Sequence, residues 1–153
     1  MKNLTFAAVA MAALAVSATG AALAQDFNQA PAYGASSLRA GFLPDPHVVN
    51  VEAGGVNDAS RSIGCAGFVA TAPDYRLNYT AGSYPLTIGA VSGGDTTIVV
   101  NAPDGSWFCD DDSGGNLNPA LTFASPMSGQ YDIWVGTFNS GSLIPAQIVI
   151  TEQ

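Results

Sequence analysis

The sequence predicts an all-β fold: an antiparallel β-sandwich, jelly-roll-like, with eight or nine short strands. Three observations predict it. Short apolar stretches recur between clusters of glycine, proline, asparagine and aspartate, the punctuation of strands and turns. In Tyr131-Asp132-Ile133-Trp134-Val135 the first, third and fifth side chains share one face, the period-2 pattern of a half-buried strand. No twelve-residue window after residue 24 carries a helical apolar stripe.

Taken in order, the chain opens with an export signal over residues 1–24. Lys2 gives the positive start, Leu4 to Val16 the apolar run, and Ala22-Leu23-Ala24 the cleavage site, with cleavage expected after Ala24. The apolar run is too short for a membrane span, and Gln25 is not the cysteine a lipid anchor requires. Residues 25–37 read as a flexible lead-in, and 38–153 as a single β-sandwich domain large enough to bury a core. Strands are predicted at His47 to Ala53, Ile63 to Ala70, Arg76 to Thr80, Tyr84 to Val91 and Thr96 to Asn101. Further strands are predicted at Ser106 to Cys109, Ala120 to Ala124, Tyr131 to Phe138 and Ala146 to Thr151. The expected location is the periplasm or outside the cell.

After residue 24 the only cations are Arg39, Arg61 and Arg76, against all 12 acidic residues of the chain. A chain so poor in cations has no basic stripe to neutralise phosphates, which argues against nucleic acid and anionic membrane surfaces. Cys65 and Cys109 are the two cysteines. In an oxidising compartment an even pair is most simply one disulfide, and no CxxC or Cys-His spacing points to a metal.

The segment Asn101 to Pro119 holds the strongest candidate site. Asp104, Asp110, Asp111, Asp112, Asn116 and Asn118 offer hard oxygen ligands of the kind Ca²⁺ prefers, among glycines that let carbonyls turn inward. The spacing is not an EF-hand: Gly114 stands at the third ligand position and Leu121 at the glutamate position. The same residues also suit a solvated acidic turn in which aspartate and asparagine cap the loop.

No catalytic set emerges. Asp112-Ser113-Gly114-Gly115 echoes the nucleophile segment of trypsin-like enzymes, but the sole histidine, His47, follows a proline turn and lacks the context of a catalytic base. A metal-assisted hydrolase built on the acidic loop would have no histidine or cysteine ligand beside it. Trp107, Tyr79 and Trp134 could form a stacking platform for a sugar or peptide, or pack in the core or under loops; Trp134 falls on the strand face opposite Ile133. The Asn78-Tyr79-Thr80 sequon is discounted because the leader has bacterial character.

Asp95-Thr96-Thr97-Ile98-Val99-Val100, Pro103-Asp104-Gly105, Asp111-Asp112, Asn118-Pro119 and Ser128-Gly129-Gln130-Tyr131 follow in an order that resembles the bacterial pre-peptidase C-terminal domain over roughly Ser83 to Thr151. The resemblance implies a secreted β-sandwich, often appended to peptidases, that serves as a binding or secretion aid, with calcium and matrix protein bound by related domains. By position, Asp95 matches the strand-opening aspartate, and Asp111 and Asp112 the acidic turn. Two departures stand out: the domain is expected to stand alone without a peptidase, and Cys65–Cys109 adds a link that the general pattern lacks. The resulting expectation is a non-catalytic exported binding or accessory domain, with Ca²⁺ as its candidate stabilising ion, for an envelope protein, peptidase or extracellular polymer. The alternatives are a carbohydrate-binding module and a peptidase-associated or inhibitory protein.

Overall fold

The computed structural model describes residues 25–141 and 143–153; the leader read over residues 1–24 lies outside them. The elements are β1 (Ala35–Arg39), β2 (His47–Ala53), β3 (Asn57–Asp58), α1 (Ala59–Ser62), β4 (Phe68–Val69), β5 (Tyr75–Thr80), β6 (Leu86–Ser92), β7 (Thr96–Asn101), β8 (Trp107–Asp110), β9 (Ala120–Phe123), β10 (Gly129–Thr137) and β11 (Ile144–Thr151). They form two packed sheets, the β-sandwich that the patterning implied. One sheet runs β2-β11-β6-β9. The other is organised on β10, which pairs along one edge with β7, itself paired to β8. Along its other edge β10 pairs first with β5, at residues 129–133, and then with β4, at Thr137.

Alternation along β10 and β7 produces two apolar clusters rather than one. Tyr131, Ile133 and Val135, with Ile98 and Val100, point between the sheets against Leu86, Ile88, Ile148 and Ile150. Trp134 and Val99 point the other way, into a smaller cluster with Ala59, Cys65 and Val69. Every residue of β7 is buried, so the strand reads as a continuous apolar and threonine run instead of an alternating one.

The second cluster accounts for the differences from the sequence reading. Residues 25–37 are not a loose lead-in. Their backbone is held by bonds from Asp26 N to Thr71 O, Ala32 N to Pro73 O and Tyr33 N to Asp74 O. The Arg76 guanidinium, paired with Asp132 at 2.6 Å, also donates to the carbonyls of Phe27 and Gln29. β1 then lies parallel to β5, the one departure from antiparallel pairing among the described residues. Its sequence, ASSLR, holds a single large apolar residue and gave no strand signal.

The predicted strand from Ile63 to Ala70 shrinks to Phe68–Val69, preceded by a helical turn that Asp58 caps through the Ser60 N–H. Gly64 and Gly67 take positive φ there, 74° and 93°, which ends extended pairing, and a Cβ at Gly67 would collide with Thr97.

Cys65 and Cys109 form the predicted disulfide, with Cα atoms 5.8 Å apart. It ties the α1–β4 excursion to β8 and closes a separation of 44 residues. The chain-entropy model gives about 4 kcal/mol for a loop of that length. We expect Cys65→Ala with Cys109→Ala to lower the melting midpoint by roughly ten degrees or more. The wild type melted in reductant should fall to the same value, and a midpoint unmoved by either treatment would contradict the disulfide's role.

Candidate functional site

The acidic loop leaves the end of β8, and the six residues read as cation ligands do not converge. Asp104 lies in the β7–β8 turn, where its carboxylate accepts from Ser106 N and Oγ. Asp104 sits at the turn before β8 and Asp110 at the strand's other end. Asp110 is engaged at both oxygens: Ser113 Oγ donates to one, and the Ser113 and Ala120 N–H groups donate to the other. Asn118 accepts from Ser92 N and donates to the carbonyls of Gly115 and Asn116.

These bonds shape a closed turn in which Asn116 and Leu117 take positive φ. Of the six, Asp111, Asp112 and Asn116 keep their side chains outside this hydrogen-bonded frame. Among the described residues, no group of three or more histidine, cysteine, aspartate or glutamate side chains is placed to hold a metal ion.

The turn's charges pull in opposite directions. Partial burial pushes the Asp110 carboxyl up, but its donors from Ser113 and Ala120 outweigh this and hold it below the usual carboxylate range. Asp112 is raised, by desolvation first and then by Asp111, Asp95 and Asp110. Asp95, the strand-opening aspartate, keeps one buried oxygen without a hydrogen-bond partner.

The aromatic candidates are placed differently from a stacking platform. Tyr79 is buried between the sheets and donates its hydroxyl to Glu152. Trp134 is fully buried in the second cluster, its indole N–H directed at Thr71 O. Trp107 is half-buried, with its ring 5.3 Å from Trp134 and 6.4 Å from Phe27. Face alternation put Trp134 opposite Ile133 correctly; the lead-in and the disulfide-tied excursion are what cover it. His47 Nε2 lies 3.0 Å from the Tyr75 hydroxyl, far along the chain from Ser113, whose own hydroxyl is taken by Asp110. The Ser-Gly-x-Tyr segment is a loop clasp: Tyr131 OH donates to Met127 O and accepts from Met127 N, while Ser128 Oγ accepts from Ala81 N.

A second site has no counterpart in the sequence reading. Between β5 and β4 the edge of β10 has no strand partner, and Val135 lies in that gap. Asp74 fills it with its side chain, accepting the Val135 N–H at 2.7 Å, while Gly54 N donates to Val135 O. A Cβ at Gly55 would overlap the Val69 carbonyl, so only glycine lets the 54–56 segment cross there.

Above Asp74 opens a cleft of about 460 Å³ lined chiefly by Tyr33, Glu52, Gly55, Val56, Thr71 and Leu143. Val56 and Leu143 are 90% and 55% exposed at its rim. Burial raises the Asp74 carboxyl to about 7, with only the Val135 N–H opposing. A buried aspartate after an Ala-Pro turn (Ala72-Pro73-Asp74) is the sole trace this site leaves in the sequence, and it resembles an ordinary turn residue.

Asp110→Asn should lower the melting midpoint by several degrees, since charge-assisted bonds contribute about 1.5–3 kcal/mol, whereas Asp112→Asn should raise it at neutral pH; midpoints in EDTA that move the same way would contradict the assignment. Asp74 is raised in the folded chain, so its contribution is full below its unfolded value, about 4, and is lost as pH rises through about 7. Asp74→Asn keeps an acceptor for Val135. The variant should therefore melt at a midpoint that changes less between pH 5 and pH 8 than the wild type's.

No protein-family model matches the chain, and no curated protein matches it. Among solved structures, Aeromonas hydrophila PliG, a periplasmic lysozyme inhibitor of g-type lysozyme, aligns over 78% of this chain and 98% of its own. The identity is 16% and the TM-score 0.38, a likeness too slight to carry a fold or a function across.

Proposed function

We propose that the chain is a non-catalytic, exported binding domain of pre-peptidase C-terminal type, acting by contact with a protein or polymer in the cell envelope or outside the cell. The observation that carries the reading is the apolar cleft over Asp74, where large side chains stay in solvent although the fold has buried space for others. Val56 and Leu143 stand exposed on either side of a concave surface, the arrangement of a contact site. Further support comes from the groups a hydrolase would need. Ser113 Oγ is bonded within its own turn and His47 is bonded to Tyr75, so both have structural duties. Of the three aromatics of the carbohydrate-module reading, Tyr79 and Trp134 are taken by the core and Trp107 stays partly accessible. A cation, in this reading, is an accessory of the acidic loop and would enter at Asp111 and Asp112.

The test is site-specific photo-crosslinking of the oxidised, exported protein in its native host. The crosslinker is placed in turn at Val56, at Thr122 on the outer face of the β2-β11-β6-β9 sheet, and at Asp104. A discrete adduct with a protein or polymer at one of these positions is the expected result. Absence of adducts at all three, together with hydrolytic turnover abolished by Ser113→Ala, would replace the binding reading with an enzymatic one.

A further inference from the structure

The cleft over Asp74 combines two features that seldom occur together on a bare surface. Its walls are apolar, from Tyr33, Val56 and Leu143, and its only charged lining residues are carboxylates, Glu52 and Asp74. Glu52 stands exposed at the end of β2, and among the described residues no cation pairs with it. Asp74 gives one oxygen to Val135 N, and no donor among the described residues reaches the other. Of the three arginines, Arg61 is paired with Asp58 and Arg76 with Asp132, and Arg39, at the end of β1, is not among the residues that line the cleft.

Building on the reading of the chain as a binding domain, we infer that this cleft is the docking site for a lysine or arginine side chain presented by an otherwise apolar loop of a basic partner protein. A long cationic side chain suits both features of the cleft: its methylene stem would lie against Val56, Leu143 and Tyr33, and its charged head would face the carboxylates among the lining residues. A purely apolar occupant would cover the exposed Glu52 carboxylate without compensation and leave the second Asp74 oxygen unpaired, and an anionic one would be repelled by Glu52. The exposed rim argues for a loop over a free amine, because Val56 and Leu143 need apolar neighbours on either side of the inserted residue. The charge of the chain acts in the same direction at longer range, steering a basic protein toward an acidic one.

The test uses a defined probe. Amide resonances of the isotope-labelled protein are followed during titration with acetyl-Leu-Lys-Leu-amide, and in parallel with the analogues carrying norleucine or glutamate in place of lysine. The lysine peptide should shift Gly54, Gly55, Val56 and Leu143 and bind at least tenfold more tightly than either analogue. Glu52→Gln should reduce that preference severalfold without altering the melting midpoint, since Glu52 is an exposed rim residue. Equal binding of lysine and norleucine peptides would overturn the charge argument, and shifts confined to other surfaces would overturn the site. If crosslinking yields a partner through Thr122 or Asp104 while the cleft amides stay unmoved, the docking inference fails and the binding reading survives. If neither experiment yields a contact, both fall.

Discussion

The structure depends on β10 being buried on both faces. A small sandwich ordinarily keeps one face of each sheet in water, and its strands alternate apolar with polar residues. Here Ile133 and Val135 fill the space between the sheets while Trp134, between them, is sealed on the outside. Burying one large side chain contributes about 1.5–3 kcal/mol, and the Trp107 ring against it adds about 1 kcal/mol. That gain requires a lid, and the chain supplies one from two distant pieces: the segment leading into β1 and the excursion through β3, α1 and β4. Arg76 and Asp132 fasten the first, and the Cys65–Cys109 disulfide fastens the second. Arg76 is effective because its planar head donates to a carboxylate and to two carbonyls at once, which a lysine could not do.

Covering β10 from outside also interrupts its edge. β5 and β4 reach it from the same side at different heights, and the backbone of Val135 falls between them. A buried N–H left there would cost about as much as a lost hydrogen bond, so a side chain takes the place of the missing strand. The substitute is a carboxylate, not an amide or hydroxyl, and a carboxylate at that depth resists ionisation. The cleft and its charge are thus consequences of how the second layer is added, and they occur where the two covering pieces meet.

Legibility from sequence followed the range of the interactions involved. Local alternation and turn chemistry placed β2 and β7 to the residue, because each is bounded by strong punctuation: Pro46 before one, Gly93-Gly94-Asp95 and Ala102-Pro103 around the other. Two cysteines left a single pairing. The lead-in could not be read as ordered, since its order comes from backbone bonds to Thr71, Pro73 and Asp74 that carry no side-chain signature. Nor could β1, where the parallel partner lies well along the chain. The internal bonding of the acidic loop was not legible for a definite reason. Composition shows oxygen atoms but not their direction, and the donors of Ser92, Ser113 and Ala120 occupy Asp110 and Asn118 from within.

The disulfide and the cleft belong to one mechanical unit. The excursion that Cys65 anchors begins beside Val56 and returns through Ala70 and Thr71, so both its ends line the cleft. Asn57 Nδ2 donates to Thr71 Oγ1 at 3.0 Å, closing the excursion at its base, and the Trp134 indole N–H approaches Thr71 O from below. A wall held at its middle by a covalent bond and at its base by side-chain bonds loses little freedom when a ligand arrives. Ordering a flexible wall would cost about 0.5–1.5 kcal/mol per immobilised side chain, and this one is already ordered. The outer layer therefore does two things at once: it shields Trp134 from water, and it presents a stiff apolar concavity whose only charges are negative.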